Sequence, residues 1–479
     1  MSADTIVIGA GVNGLVAAHA LARAGRDVLV LEQAAQPDGA PDIGWVPPEV
    51  ERALGLSPAA VGRQVDDPWV VSALPDGRRL ALYSDMARSV EAIRAFSAKD
   101  AAAWPEFAAR MRRLGSVLEA LYVQPPPDVE TTDPREMFRL AMLGAGIRRR
   151  GKQTVIDLIR ILPMAAAELL DDWFESDALK GALGAAAVMH LRQGPRSAGT
   201  AFSLLHHHVG CAAGVFRPPR SALGAVLAQR GGITIRRGAA VARITHAGGR
   251  ATGVVLASGE AIAARTVVSS ADPRRTMLGL LDAGRLEPEY ALAVRNIKCR
   301  GVAARITLTL SRPAPFATLL VAPSLVYLER AYDDAKYGRA SAEPWFEAHG
   351  DGNVVRVHAQ SAPYELRDGG WTPAKAQAFG DAVVDRLVKA EPALAGAVTA
   401  REVLTPADLE ARSGLTEGQV YHGELTLDQI LFMRPVAGWG RYATPVAGLW
   451  LCGAGTHPGG AVAGASGLNA ARAIIKEEA

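Results

Sequence analysis

Glycines at 9, 11 and 14 and a glutamate at 32 are the residues whose types and spacing most clearly point to chemistry. The glycines form Gly9-Ala10-Gly11-Val12-Asn13-Gly14, after the apolar run Thr5-Ile6-Val7-Ile8 and before Leu15-Val16-Ala17-Ala18-His19-Ala20-Leu21-Ala22. The first segment reads as a buried strand and the second as a helix. Gly25 ends that helix, and Asp27-Val28-Leu29-Val30-Leu31 makes a second strand that stops at Glu32. Each part has a task. Gly9 permits the tight turn, Gly11 lets a pyrophosphate approach the backbone, and Gly14 lets helix and strand lie close. Unpaired N–H groups at the helix start face the phosphates. An acid about 20 residues past the glycines accepts hydrogen bonds from a ribose diol and repels a 2′-phosphate. The unit is expected to bind FAD or NAD rather than NADP.

A second segment of similar chemistry lies at the other end of the chain. Gly448-Leu449-Trp450-Leu451-Cys452 reads as a strand, and Ala465 to Lys476 as a helix. Between them stands Gly453-Ala454-Gly455-Thr456-His457-Pro458-Gly459-Gly460-Ala461-Val462-Ala463-Gly464, a loop almost stripped of side chains. A large planar anion can lie against such exposed amides. One such element suffices for NAD, whereas a flavoprotein that stretches FAD across the molecule often uses both chain ends. The pair shifts the expected cofactor to FAD.

The remaining reactive residues are few. His457 sits inside the second loop, where it could polarise a flavin carbonyl or substrate, or simply donate to backbone in a turn. His206-His207-His208 invites a metal reading. Adjacent helical residues point apart, however, so helix surface plus one core contact is expected, and no metal site is assigned. Tyr364 and Glu365 fall at a strand end, and Asp333-Asp334 reads as a helix cap or solvated face. Cys211, Cys299 and Cys452 are far apart and form no CxxC pair. They read as buried apolar residues in a reducing compartment, and a cytoplasmic location is expected.

These groups must be positioned by a chain of 479 residues, long enough for two domains. It has 52 basic against 49 acidic residues, a balance that gives no reason to expect nucleic acid. Mean hydropathy is slightly positive. No stretch reaches the roughly 18 apolar residues that span a bilayer, and no signal-peptide region precedes the first strand. Helical spacing is expected over 86–122 and 135–192, with Pro163 as a boundary. Between Met137 and Leu170, apolar clusters flank Arg148-Arg149-Arg150 and Lys152. Two helices packing on their own core with a solvated basic turn are expected there; a peripheral membrane contact is the alternative. Short strands follow at Ile233 to Ile235, Val241 to Thr245, Thr252 to Leu256 and Thr266 to Val268. Further strands are expected near Ala303 to Leu310 and Val354 to Gln360, and a helix over 372–390.

With these motifs in place, the chain resembles the phytoene desaturase-type (carotenoid oxidoreductase-like) FAD flavoproteins. Within them it is most similar to the branch of pyridine nucleotide-disulphide oxidoreductase domain-containing protein 2. The resemblance rests on Gly453 to Gly460 with Gly464-Ala465-Ser466-Gly467-Leu468-Asn469, on Val267 to Pro273, Tyr327 to Gly338 and Ala362 to Arg367, and on Tyr421-His422-Gly423-Glu424. It implies an α/β fold, with a Rossmann-like FAD-binding domain of parallel sheet plus β-meander interleaved with an α+β substrate domain. The FAD domain would comprise 1–70, 217–285 and 425–479, and the substrate domain 71–216 and 286–424. It implies that Gly9, Gly11, Asn13, Gly14, Glu32, Val241, Gly453, Pro458, Gly459, Gly460, Ala461 and Val462 hold the cofactor. Val241 would lie beside the adenine, and the residues from His457 to Val462 would face the flavin ring.

Two departures stand out. Where relatives carry a basic residue and a Gly-Gly pair, this chain has Gln33 to Ala40 and is shortened before Pro47-Pro48-Glu49. Where a second Gly-Gly loop is expected, it reads Arg217-Pro218-Pro219-Arg220-Ser221-Ala222, and prolines lack the N–H a cofactor loop donates. The expected activity is desaturase- or dehydrogenase-type: a hydride passes from a hydrophobic, polyene-like substrate to flavin, which an unidentified acceptor reoxidises. No charged cluster is expected near the flavin loops, so a charged substrate would be poorly held. A redox-neutral flavin-dependent isomerase and a binding or assembly protein are the alternatives.

Overall fold

The computed structural model describes residues 2–37, 41–128, 131–282, 284 and 286–478. Part of the shortened loop, residues 38–40, lies outside them. The first strand, Ser2–Ile8, is followed by the turn at Gly9, the helix Val12–Arg23 and the strand Val28–Leu31. Ser2–Ile8 is paired in parallel on both sides: Ile6 stands opposite Leu29 on one neighbour and Val267 on the other. A strand buried on both faces needs a continuous apolar run rather than alternation, and Ile6 and Val7 are wholly buried.

The sheet runs, edge to edge, Thr234–Arg236, Val28–Leu31, Ser2–Ile8, Ala261–Ser269, Arg250–Leu256 and Val241–Ala247, and Leu449–Leu451 also pairs with Ala261–Ser269. Its last three long strands form an antiparallel meander. A second sheet of seven strands runs Val398–Leu404, Ala303–Leu310, Val354–Gln360, Phe346–Asp351, Thr318–Val321, Val70–Ala73 and Arg79–Leu82. Strands from near both ends of the chain thus share the first sheet, which is the interleaved α/β arrangement expected.

A helical layer joins the sheets. The helix Ala98–Tyr122 buries Trp104, Phe107, Met111, Leu114 and Leu118, spaced at three or four residues. Their rings meet Phe174 and Phe216 with centroids 4.9–6.2 Å apart. The small residues of Asp177–Val188 let that helix lie directly against the chain that follows Thr318–Val321, an inner strand of the second sheet: a Cβ on Gly181 would sit 2.3 Å from the carbonyl oxygen of Ala322.

Two expectations are corrected here. The helix Pro134–Arg149 has no fully buried side chain and only half-buries Leu140, Leu143 and Ile147, so it does not enclose a core of its own. Met137, Phe138 and Met142, with Ile156 and Ile159 of Lys152–Ile161, stand exposed. His206, His207 and His208 are also not helix surface; all three are at most 2% exposed. They end the helix Thr200–His208, which is enclosed on every side.

No described helix is long and apolar enough to cross a membrane.

Candidate functional site

Gly9, with φ +91°, makes the turn that an L side chain resists. A Cβ on Gly14 would lie 2.3 Å from the carbonyl oxygen of Gly9, so this contact between strand and helix requires glycine. Gly11 is different: a Cβ there meets nothing within 4 Å, which leaves open approach to the helix start. No side chain caps that start, so its amides stay available to an anion. Glu32 is half-buried beside it, accepting from the amides of Ala10 (2.7 Å) and Ala34 (2.9 Å). Each carboxylate oxygen keeps a further lone pair for a ribose hydroxyl. The Glu32 carbonyl accepts from the Ala239 amide at 2.8 Å, which brings the start of Val241–Ala247 to the same end of the sheet. Val241 is buried there.

The two glycine-rich loops form one site. Asn13 Oδ1 accepts from the Gly464 amide at 2.9 Å. The helices Val12–Arg23 and Ala465–Glu477 cross so closely that a Cβ on Gly467 would sit 2.1 Å from the Asn13 carbonyl oxygen. The helix Ala465–Glu477 also has no side-chain cap. Two uncapped helix starts, an open approach at Gly11 and a diol acceptor at Glu32 fit the dinucleotide of FAD.

The loop from Gly453 to Gly464 is held from beneath. A Cβ on Gly453 would meet the Ser270 carbonyl oxygen at 2.3 Å, on Gly459 the Leu425 side chain at 2.7 Å, and on Gly460 the Tyr421 ring at 2.1 Å. Arg434, buried with no carboxylate partner among the described residues, clamps the loop to the chain under it. Its guanidinium donates to the carbonyls of Ala454, Tyr421, Gly423, Glu424 and Gln429. Burial alone pulls its pKa down to about 10, so it remains charged at neutral pH.

The two departures in sequence are visible as structure. The short connection after Glu32 leads to Asp42–Ile43, which pairs with Arg220–Ser221. Gly44 donates to the Pro219 carbonyl at 2.9 Å, Trp45 donates to Ala461 at 3.0 Å, and Ala463 donates to Trp45 at 2.8 Å. The Pro218-Pro219 segment thus supplies carbonyls and strand pairing rather than cofactor-facing amides. Ala461 and Val462 are buried beneath Trp45, and Ala461 holds φ +61°, a strained conformation for a residue with a Cβ.

His457 is wholly buried. Its Nε2 donates to the Leu121 carbonyl at 3.1 Å, its ring stands edge-on to Tyr122, and its Nδ1 has no hydrogen-bond partner among the described residues. Burial pulls its pKa to about 4. The bond to Leu121 ties this turn to the helix Ala98–Tyr122. His206 does similar work: Nε2 donates to the Gly460 carbonyl at 2.7 Å, so Nδ1 accepts from the Tyr122 hydroxyl at 2.8 Å. Burial raises the Cys211 and Cys299 thiols to about 12, which leaves neither as a nucleophile at neutral pH.

A cavity open to solvent adjoins the loop where the first sheet's connections meet the second sheet. Ala182, Ala185, Ala186 and Met189 of the small-residue helix and its C-terminal end form one apolar wall, and Trp69, Val70, Phe216 and Leu320 line much of the rest. Tyr421 joins cavity to loop, since its ring covers Gly460. One corner is polar and corrects the expectation of uncharged surroundings. Arg217, Glu347, His349, His358, His190 and His207 line it. Burial opposes ionisation of Glu347, but Arg217 and His349 hold its carboxyl well below its ordinary value. Sequence reasoning missed this corner. Its residues come from separate segments with no local spacing, and although His207, Arg217, His358 and Tyr421 lay in segments already singled out, nothing in the sequence joined those segments.

The comparisons with known proteins agree with this geometry. A family model for an NAD(P)-binding Rossmann-like domain matches residues 7–40. The chain is 30% identical to pyridine nucleotide-disulfide oxidoreductase domain-containing protein 2 of Rattus norvegicus, covering 99% of this chain and 93% of that protein. It is 27% identical to hydroxyneurosporene desaturase of Cereibacter sphaeroides, covering 98% and 97%. Its fold matches an oxidoreductase from Methanosarcina mazei over 100% of both chains, with a TM-score of 0.53 at 14% identity. The chain therefore belongs to the phytoene desaturase-type FAD oxidoreductases, in the branch of pyridine nucleotide-disulfide oxidoreductase domain-containing protein 2.

Proposed function

We propose that the protein oxidises a C–H bond of a largely apolar molecule held in this cavity. Bound FAD supplies the hydride acceptor. The observation that carries this reading is the contact between Tyr421 and Gly460, which sets the cavity directly against the cofactor loop. The protein's own contribution is mainly to position and to exclude water. The helix Asp177–Val188 presents alanines, so a flat or extended hydrocarbon can lie along it without steric obstruction. The polar corner already balances Arg217 against Glu347, so an added buried charge would have no partner.

The test is an anaerobic panel read by bleaching of the flavin absorbance. Long apolar or polyene-like compounds should reduce the flavin, whereas amino acids and sugar acids should not. Rapid bleaching by a charged amine or hydroxy acid, with none from apolar compounds, would overturn the substrate assignment.

A second part of the reading concerns where such a substrate is collected. We propose that the exposed apolar side chains of Pro134–Arg149 and Lys152–Ile161 rest on an anionic lipid surface. Phe138 and Met142 lie one turn apart, as do Ile156 and Ile159, and Arg135, Arg139, Arg148, Arg149, Arg150 and Lys152 surround them. Apolar insertion together with basic flanks is the pattern of an interfacial helix.

A further inference from the structure

The polar corner of the cavity holds groups that an all-hydrocarbon substrate leaves unused. His207 Nδ1 lies 2.7 Å from the Ala186 carbonyl, which only accepts, so Nδ1 carries the ring proton. Burial holds His207 neutral, and its Nε2 is therefore the acceptor for the Tyr421 hydroxyl at 3.0 Å. The single phenolic proton of Tyr421 is committed, and its oxygen is left able only to accept.

Facing it is His190, with ring centroids 5.5 Å apart at 89°. The backbone of His190 is fixed at φ +60° by two glutamines: its amide donates to Gln360 Oε1 and its carbonyl accepts from Gln419 Nε2, both at 3.0 Å. The strained backbone is pinned on both sides, and the ring is held at the cavity wall. Its Nδ1 has no hydrogen-bond partner among the described residues. His358 stands edge-on to His190 at 6.1 Å and also lines the cavity, and no described residue hydrogen-bonds to its ring. The neighbouring charges are matched: Arg217 pairs with Glu347 and lies 3.5 Å from Asp66, which also pairs with Arg220.

A group that completes this corner has to donate to Tyr421 Oη, and it has to be neutral. A hydroxyl does both, and it can also accept from an imidazole N–H at the corner. A carbonyl or carboxylate cannot donate, and an ammonium cannot accept and brings an unmatched charge. We propose that the Tyr421–His190–His358 corner is a subsite for a hydroxyl group carried by an otherwise apolar substrate. The inference rests on the reading that places the substrate in this cavity.

Binding of three shape-matched probes to the FAD-loaded protein, measured by isothermal titration calorimetry, tests it. The probes are naphthalene, 2-naphthylmethanol and 2-naphthoate. The alcohol should bind about tenfold more tightly than the hydrocarbon, and the carboxylate more weakly than both. Tyr421→Phe should remove the alcohol's advantage while leaving naphthalene unchanged. If circular dichroism shows that variant unfolded, His358→Leu carries the same comparison. Equal affinities for alcohol and hydrocarbon, or tightest binding of the carboxylate, would overturn the subsite. Binding of none of the three would overturn the cavity assignment as well. A clear preference for the alcohol in a protein whose flavin no apolar compound bleaches would leave the subsite standing and remove the proposed oxidation.

Discussion

At the scale of single residues, Glu32 links sequence to cofactor most directly. Its two oxygens tie Ala10 to Ala34 beside the start of the helix Val12–Arg23, where no side chain caps the amides. Replacing it with alanine removes both ties and the acceptor we propose for the ribose diol. A hydrogen bond to a charged group contributes roughly 1.5–3 kcal/mol. Glu32→Ala should therefore weaken FAD binding about tenfold or more, as measured by fluorescence titration of the apoprotein. An unchanged dissociation constant would show that the ribose is held elsewhere. Glu32 was legible in the sequence because its function depends on local spacing within one strand–turn–helix–strand unit. His190, Glu347, His358 and Tyr421 were not legible as a group. The distance between them along the chain is large, and only the docking of the second sheet on the helical layer brings them to one cavity.

At the scale of elements, the two glycine loops matched expectation and the helix Pro134–Arg149 did not. The loops succeed because glycine is required there by backbone contacts, such as Gly14 on Gly9 and Gly467 on Asn13. The helix misleads because an amphipathic pattern says that an apolar face exists and not what covers it. Here Phe138 is 66% and Ile159 73% exposed, so no described residue covers them. If lipid is the partner, the protein should co-sediment with vesicles containing anionic phosphatidylserine and less with purely zwitterionic vesicles. The double substitution Phe138→Asp with Ile159→Asp should abolish co-sedimentation, with little effect on stability because neither side chain is buried. Wild-type protein left in the supernatant with both vesicle types would contradict the lipid assignment. The histidine run teaches a related lesson. Successive residues of a helix do point apart, but in a fully enclosed helix each direction meets a different part of the core. His206 thus holds the cofactor loop, His207 orients Tyr421, and His208 Nδ1 donates to the Val215 carbonyl at 2.6 Å.

At the scale of the whole molecule, buried neutral histidines make the fold sensitive to acid. Burial pulls His190 and His206 to about 3, and His208, His358 and His457 to about 4, from an ordinary value of 6.5. In the unfolded chain these rings take up protons near 6.5, so between that pH and about 4 the unfolded state binds more protons than the folded state. The stability they contribute is therefore fully present above pH 6.5 and is lost as pH falls toward 4. The melting temperature should hold steady from pH 8 to 7 and fall steeply from pH 6.5 to 5. A flat profile over that lower range would mean that these rings are hydrated or paired in ways the fold does not show.

The most direct test of the enzyme as a whole joins cofactor loop and cavity in one measurement. Ala186 lines the cavity, and a phenylalanine ring there would fill the space beside Tyr421 without touching Gly9, Gly11 or Glu32. Single-turnover bleaching of the bound flavin by an apolar alcohol should be followed anaerobically in wild-type protein and in Ala186→Phe. FAD content should be equal in the two, with bleaching in the wild type and a loss of at least tenfold in the variant. Equal bleaching rates in both proteins would contradict a substrate oxidised from this cavity.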